Sequence, residues 1–549
     1  MDSNTSLPKS LLVPIEVGYI VFSMHSKGYQ CFVVGGAVRD LLQERDHIAD
    51  FDFTTNATPE QILEVFTEAF YENDYGTVSL PVPEIWKLIS NALPDDQMAQ
   101  RLLPESKNNG TRIIDLSKAT KVHISLEAKN SKKDEDDAQP IAPKWSSLLK
   151  NFEITTYRSD GSYQDHRRPE QVSWGTDILQ DLERRDFTIN AMALDLDAHF
   201  LQDIFASNPD LSHVSETLMI ELPESVYTVV DPFEGQKDLK NLLIKTVGTP
   251  SERFEEDALR MLRAIRFAVQ LKATIEPQTL LAITNHAPLL EHVSWERIST
   301  EFLKMLASSQ PKRAIELLDE TNLLQIVLPE LLECKNVEQG GHHTTDVWTH
   351  SLDALENSPS ADPIVRLATL LHDIAKPKTY KIINGQPTFY NHEIIGSRIA
   401  KKVGQRFKLS KKNIDRLFIL VRFHMFHYQE QNTDASIRRF MRNVGLEHLD
   451  DILDLREGDR LGSGARKTSW RLEEMKERMI EQLHQPMDVT DLAINGSDLM
   501  REFSLTPGPI LGIILEDLLQ IVLNDPEKNT PESLYELAKK TIEAETAVD

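Results

Sequence analysis

The spacing of apolar residues changes period several times along this chain, and each change marks an element. Between residues 10 and 28 the apolar positions predict a helix, which leads into an unbroken apolar run, Cys31 to Val34, read as a buried strand. Gly35 and Gly36 follow, and a helix is expected to begin there, with Arg39 and Asp40 in its first turns. After a turn at Asp46 and His47, Ile48 to Phe53 reads as a second strand. Thr58-Pro59-Glu60 opens a helix reaching Phe70, and Tyr75 to Val78 is a turn running into a strand. From about Leu80 to Lys150 the periodicity dissolves among prolines 81, 83, 94 and 104 and the charge run 132 to 137, so this stretch is read as a partly mobile insertion. Order returns with the strand-like Phe152 to Arg158, and then with Asp181 to Ala193, read as an apolar helix capped by Arg184, Arg185 and Asp186. Helical spacing runs over Glu256 to Phe267 and through 270 to 335, where leucines repeat without a polar cluster. A new domain begins near Gln339, and Pro507-Gly508-Pro509 opens a helix close to the C-terminus.

Composition narrows the class. A chain of 549 residues with 40% hydrophobic residues can bury several cores, and three or four domains are expected. Asp2 stands where a signal peptide would be basic, and acids interrupt the longest apolar tracts, so a soluble cytoplasmic protein without membrane association is expected. Cys31 and Cys334 lie in apolar surroundings in different domains and are read as buried reduced thiols. The net charge of -26 argues against non-specific coating of nucleic acid. RNA contact would then need clustered cations, such as Arg260, Arg263 and Arg266, or Arg438, Arg439 and Arg442.

Four stretches carry chemistry. Two glycines at the end of a strand let a phosphate approach the backbone. Asp50 and Asp52, two apart in a strand, share a side, and paired carboxylates there suit a divalent cation. Glu153 is read either as a third carboxylate of this site or as a surface glutamate. The cations Arg184 and Arg185 suit a triphosphate or form surface ion pairs, and Asp257, Arg260, Arg263 and Arg266 share one helix face at three-residue steps. His372 and Asp373 are adjacent, with His350, His392, His424 and Asp459 at helix-sized separations, a combination suited to a hydrolytic metal centre.

The order of GGxVRD, DxD, RRDxxxN (Arg185, Asp186, Asn190), DPFxGxxDL (Asp231 to Leu239) and EDxxR resembles the class II tRNA nucleotidyltransferases and bacterial poly(A) polymerases, and His350, His372, Asp373 and Asp459 resemble the ligand set of an HD domain. The resemblance implies an α+β fold. A nucleotidyltransferase head, a small mixed sheet with helices, would span 10–215. A helical neck and body would span 216–335, an HD domain 336–475 and a helical tail 476–549. It further implies Mg2+ at Asp50, Asp52 and Glu153, and nucleotide binding by Gly35, Gly36, Arg39, Arg185, Asp186, Asn190, Asp257, Arg260, Arg263 and Arg266. Asp257 and Arg260 would read the base edge of CTP or ATP. The HD residues would hold a divalent ion of unspecified identity, with His392 and His424 available to a second one. The implied partners are tRNA, CTP and ATP, the reaction CCA addition, and the oligomeric state stays open. A poly(A) polymerase, an enzyme adding only CC or only A, and a phosphohydrolase with a nucleotide-binding head are the rival readings.

Overall fold

The structure is a computed structural model that describes residues 8–45, 48, 50–71, 76–82, 85, 111–117, 120–125, 151–160, 172–175, 177–206, 218–340, 345–426, 428–429, 431–466 and 469–546. Contacts divide the chain into two compact units, Met1–Val293 and Ser294–Asp549. No helix among the described residues is long and apolar enough to cross a membrane.

The first unit is built on a mixed seven-stranded sheet in the order Tyr227–Val230, Ala193–Leu196, Cys31–Val34, Asp52–Thr55, Asn151–Thr156, Thr77–Pro81, Phe70–Tyr71. Asp52–Thr55 runs parallel to Asn151–Thr156, and every other pair is antiparallel. Cys31–Val34 is buried at all four positions, as an unbroken apolar run in a central strand should be. Phe53, Phe152 and Ile154 fill the core beside it.

Four expectations change here. The helix opened by Thr58-Pro59-Glu60 ends at Val65, and Phe70, expected at its end, lies in the edge strand Phe70–Tyr71. Residues 10–28 do not form one helix. Leu11 and Val13 are buried while Leu12 is 46% exposed, the period of a strand, and Ser10–Pro14 pairs with Leu218–Pro223 before the helix Ile15–Ser26 begins. The second strand starts at Asp52 rather than Ile48, because its partner ends at Val34, opposite Asp52, where the chain turns away at Gly35. Within the insertion, Thr111–Ser117 and Thr120–Ser125 form a hairpin that joins Ser10–Pro14 and Leu218–Pro223 in a four-stranded sheet. The charge run 132–137 and the turn at Asp46 and His47 lie outside the described residues.

The second unit is helical among the described residues apart from the hairpin Lys381–Ile383 with Gln386–Thr388. Helix Val347–Glu356 crosses Leu449–Gly462 at a small-residue contact. A Cβ on Gly462 would fall 2.5 Å from the Ala354 backbone nitrogen, and one on Gly458 would fall 2.8 Å from the Ala354 carbonyl oxygen. That approach brings His350 and Asp459, one on each helix, within 3.2 Å. Near the C-terminus Leu499, Ile514, Leu518, Val522 and Leu534 form a core of their own. Arg438, Arg439 and Arg442 face this region rather than an open groove: Arg438 donates to the Leu523 carbonyl and the Gln482 side chain, Arg439 to Asn524, and Arg442 to Glu516. Both cysteines are buried and unbridged.

Candidate functional site

In the first unit the site forms where the strand Cys31–Val34 gives way to the helix Gly36–Leu42. Gly35 has φ 74°, a left-handed conformation that a side chain would strain. A Cβ on Gly35 would lie 3.2 Å from Arg185 Nη1 and 3.7 Å from Asp52 Oδ2, so the glycine, the guanidinium and the carboxylate meet at one place. Register sets Glu153 directly beside Asp52 on the neighbouring parallel strand, and paired residues point to one face. Asp50 precedes the strand and still acts on its neighbour. Burial and the Asp50 charge raise the Asp52 carboxyl to about 6, against the pull of Arg185. Among the described residues these three carboxylates do not gather their ligand atoms within 4.8 Å of one another. The donors are hard oxygens whose mutual repulsion a dication would relieve, so the residues fit Mg2+ chemistry.

Around this centre the motif residues form one network. Asp186 accepts from both Nε (2.6 Å) and Nη2 (2.5 Å) of Arg263, and the Asn190 amide lies 3.4 Å from its carboxylate. Burial pushes the Asp186 carboxyl up, and Arg263 and Arg260 outweigh it and hold it below the usual range. Arg39 donates to the Asn190 oxygen at 2.9 Å and pairs with Asp40. The three residues 184–186 do not cap an apolar helix as expected. They follow the short helix Ile178–Glu183 and precede a single 3-10 turn, Thr188–Asn190, because Phe187 to Leu196 is drawn into the sheet and its loops.

Asp257 and Arg260 likewise do not lie on one continuous helix. Pro250–Glu256 ends at Asp257, whose backbone is extended (φ -147°, ψ 101°) and whose carboxylate accepts from the Leu259 amide at 3.1 Å, opening the helix Leu259–Leu271. An aspartate competes for backbone donors and so favours such a break. Arg260 donates to the Arg184 carbonyl (2.9 Å), the Arg253 carbonyl (3.1 Å) and Glu256 (2.5 Å). Arg266 lies 4.0 Å from the centre of the Phe267 ring, with Arg39 and Arg263 each at 5.4 Å.

Sequence reasoning missed several supports. Phe267 is one, a ring shared by three guanidiniums and set edge-on to Phe187. Gly235 is another: its Cβ would fall 2.2 Å from the Thr188 carbonyl, while Asp231 accepts from the Gly235 and Gln236 amides and Asp238 from the Thr188 hydroxyl. The DPFxGxxDL stretch therefore buttresses the turn that carries Asp186 and Asn190. A third is Asp181, fully buried and paired with Arg184 and Arg185. The signal was its position four residues before Arg185.

The second unit brings its predicted ligands together in two groups, His350, His372 and Asp459, and Asp373, His392 and His424, each with ligand atoms within 4.8 Å and all six residues buried. Asp373 lies between them. Oδ2 is 3.2 Å from His372 Nε2 and 3.5 Å from His350 Nε2, and Oδ1 is 3.3 Å from His392 Nε2. Three rings are held by Nδ1 against main-chain carbonyls, His372 on Thr369 (2.7 Å), His392 on Phe389 (2.8 Å) and His424 on Val421 (2.8 Å), which aims each Nε2 inward. The Nε2 pairs stand 3.1 Å apart (His350, His372) and 3.3 Å apart (His392, His424). Ligands about 2.1 Å from a shared ion are separated by about 3 Å, so these spacings fit metal-binding groups.

Charge in the cluster tells the same story. Burial disfavours a charged His372, yet Asp373 and Asp459 prevail and push it up to about 10, so a proton stands where a cation is wanted. Burial and that neighbouring charge press His424 down to about 3. Lys376, 2.6 Å from Asp373, and Arg456, 2.6 Å from Asp459, were not anticipated. Each lies three residues from a ligand on the same stretch of chain.

With this geometry in view, the comparisons place the chain in a class. The Poly A polymerase head domain profile matches residues 31–80 and 113–215, "Probable RNA and SrmB-binding site of polymerase A" matches 273–335, and a tRNA nucleotidyltransferase domain 2 profile matches 395–538. The chain is 32% identical over 358 residues to an A-adding tRNA nucleotidyltransferase of Deinococcus radiodurans, covering 62% of this chain and 75% of that one. It is 26% identical over 546 residues to a CCA-adding enzyme of Enterococcus faecalis, covering 96% and 95%. The solved CCA-adding enzyme of Bacillus stearothermophilus with CTP shares the fold, with TM-score 0.57 and 23% identity over 97% of this chain and 98% of that one. The head is that of a nucleotidyltransferase. The chain belongs to the tRNA nucleotidyltransferase and poly(A) polymerase family.

Proposed function

We propose that this chain completes the 3′ end of tRNA, adding CMP from CTP and AMP from ATP as CCA with release of pyrophosphate. The observation that carries the reading is the meeting of Gly35, Asp52, Glu153 and Arg185 at the end of the central strand. Gly35 and Gly36 leave the backbone open to a triphosphate, and Arg185 and Arg39 stand beside that opening to neutralise it. Asp50, Asp52 and Glu153 would hold Mg2+, which when bound favours the ionised RNA 3′-hydroxyl and stabilises the leaving pyrophosphate. Asp257 and Arg260 face the base in this reading, with Arg263 and Arg266 behind them. The four-part division at 215, 335 and 475 is retained; the separate core from Leu492 to Ala538 supports a C-terminal tail, while the helix Trp470–Gln482 runs through position 475. A cytoplasmic location goes with the activity.

The test uses tRNA transcripts ending before CCA, after C and after CC, supplied with CTP, ATP or both. Complete CCA on the first transcript is expected. Stalling after CC, or extension of only the last transcript, would assign a CC-adding or A-adding enzyme, and a long ATP-derived tail a poly(A) polymerase.

The six-residue cluster favours a second activity, metal-dependent hydrolysis of a phosphate ester at damaged RNA ends, either a 2′,3′-cyclic phosphate or a terminal phosphate. Purified protein should release phosphate or open the cyclic ester with one of the common divalent ions. Failure with all of them, together with no bound metal, would leave the cluster as a scaffold for RNA binding.

A further inference from the structure

We infer that Asp181 is a positioning residue of the nucleotide site: it holds Arg185 at the Gly35 turn and so sets the affinity for the incoming triphosphate. The inference rests on the proposed nucleotide addition. Asp181 is fully buried on the short helix Ile178–Glu183, and a carboxylate is retained in such a place only when it is paired. Its Oδ1 accepts from Nε (3.1 Å) and Nη2 (2.6 Å) of Arg184, and its Oδ2 from Nη2 of Arg185 at 3.2 Å. Burial raises its carboxyl, and the two guanidiniums overcome this and keep it ionised.

The consequence lies at the other end of Arg185. Nη1 stands 3.2 Å from the space a Gly35 Cβ would occupy, and the same guanidinium acts on Asp52. Arg185 therefore has two acids to choose between. Asp181 holds one edge of the guanidinium, which leaves the other edge facing the glycine turn and keeps the side chain from closing down on Asp52. Without the Asp181 charge, Arg185 can swing from the glycine turn toward Asp52 in the empty site, and an incoming triphosphate must draw it back. The clamp also reaches the helix Leu259–Leu271, because the Arg184 carbonyl receives Arg260 at 2.9 Å.

The isosteric Asp181→Asn variant tests this in the full-length protein. Its KM for CTP and ATP should rise about tenfold, as expected for one charge-assisted hydrogen bond, with kcat and the KM for tRNA within about twofold of wild type. Calorimetric binding of CTP in EDTA should weaken in parallel, without any metal. Arg185→Ala should weaken CTP binding similarly, and adding Asp181→Asn to it should cause no further loss. The inference is overturned if Asp181→Asn binds CTP as tightly as wild type, if losses multiply in the double variant, or if only thermal stability falls. A wild-type chain that extends no tRNA overturns the proposed function instead, and the CTP-binding comparison still decides the role of Asp181.

Discussion

The two candidate metal sites on this chain are built to opposite rules. In the first unit the carboxylates sit at the mouth of a sheet, Asp50 exposed and Glu153 exposed, with ligand atoms not drawn into a tight group. In the second, six ligands are buried, imidazoles are fixed by main-chain carbonyls, and two carboxylates are flanked by Lys376 and Arg456. The difference follows from what each must admit. A site that receives a triphosphate and a polynucleotide completes its ion's coordination with substrate oxygens, so protein ligands can stay sparse. A site rich in imidazole, with its ligands buried and their rings fixed by main-chain carbonyls, can keep its ion between turnovers.

The sharpest way to break this contrast is Asp52→Ala. It should lower nucleotide incorporation by at least about 10³-fold while tRNA binding measured by filter retention is largely kept, since a methyl group cannot hold the cation. Ordinary incorporation at millimolar Mg2+ would remove the Asp50 and Asp52 pair from the mechanism. Next in size, His372→Ala with Asp373→Ala should reduce tightly bound metal by about 10- to 100-fold in affinity and abolish phosphate-ester hydrolysis, with addition to intact tRNA unchanged. Loss of both activities together would mean the two sites are not separable.

A smaller effect sharpens the role of the support beneath the first site. Gly235→Ala should destabilise the protein by about 1–3 kcal/mol in urea melts, because its methyl group enters the space of the Thr188 carbonyl, and should raise the KM for CTP by displacing Asp186 and Asn190. The smallest prediction concerns protons. With its carboxyl raised to about 6, Asp52 gains a proton as pH falls through that value, and the proton competes with the cation. Divalent-ion affinity of the first site should therefore fall about fourfold between pH 7.5 and 5.5, and an affinity that stays constant over that range would mean that Asp52 does not titrate there.

Much of this was legible in the sequence. Cys31–Val34 and the two glycines were visible because a wholly buried strand needs every position apolar, and the six ligands of the second unit were visible because imidazole and carboxylate seldom accumulate at helix spacing without purpose. What could not be read was tertiary. The break at Asp257 depends on a side chain competing for a backbone amide, and the apolar residues after Asp186 join a sheet whose partners, Val33 and Val34, lie far earlier in the chain, so local periodicity misassigned both. Phe267 is one apolar position in a helical period, and nothing in a single sequence tells which cations gather around its ring.

Pro81 and Asn151 stand directly opposite each other at the open end of an antiparallel pair. The roughly seventy residues of sequence between them, which include the hairpin Thr111–Ser117 with Thr120–Ser125, leave and re-enter the sheet at this one pair. Closing a loop of that length in place of a two-residue turn costs only about 3 kcal/mol of chain entropy, because the penalty grows with the logarithm of length. The strand pairing of Thr120–Ser125 with Leu218–Pro223 is available to offset it. Length at this junction is therefore nearly neutral for the frame that aligns Asp52 with Glu153, and a chain rejoined from Pro81 to Asn151 through Asn-Gly would keep that alignment. Here the fold can gain or shed a segment without shifting the pairing of Asp52 with Glu153.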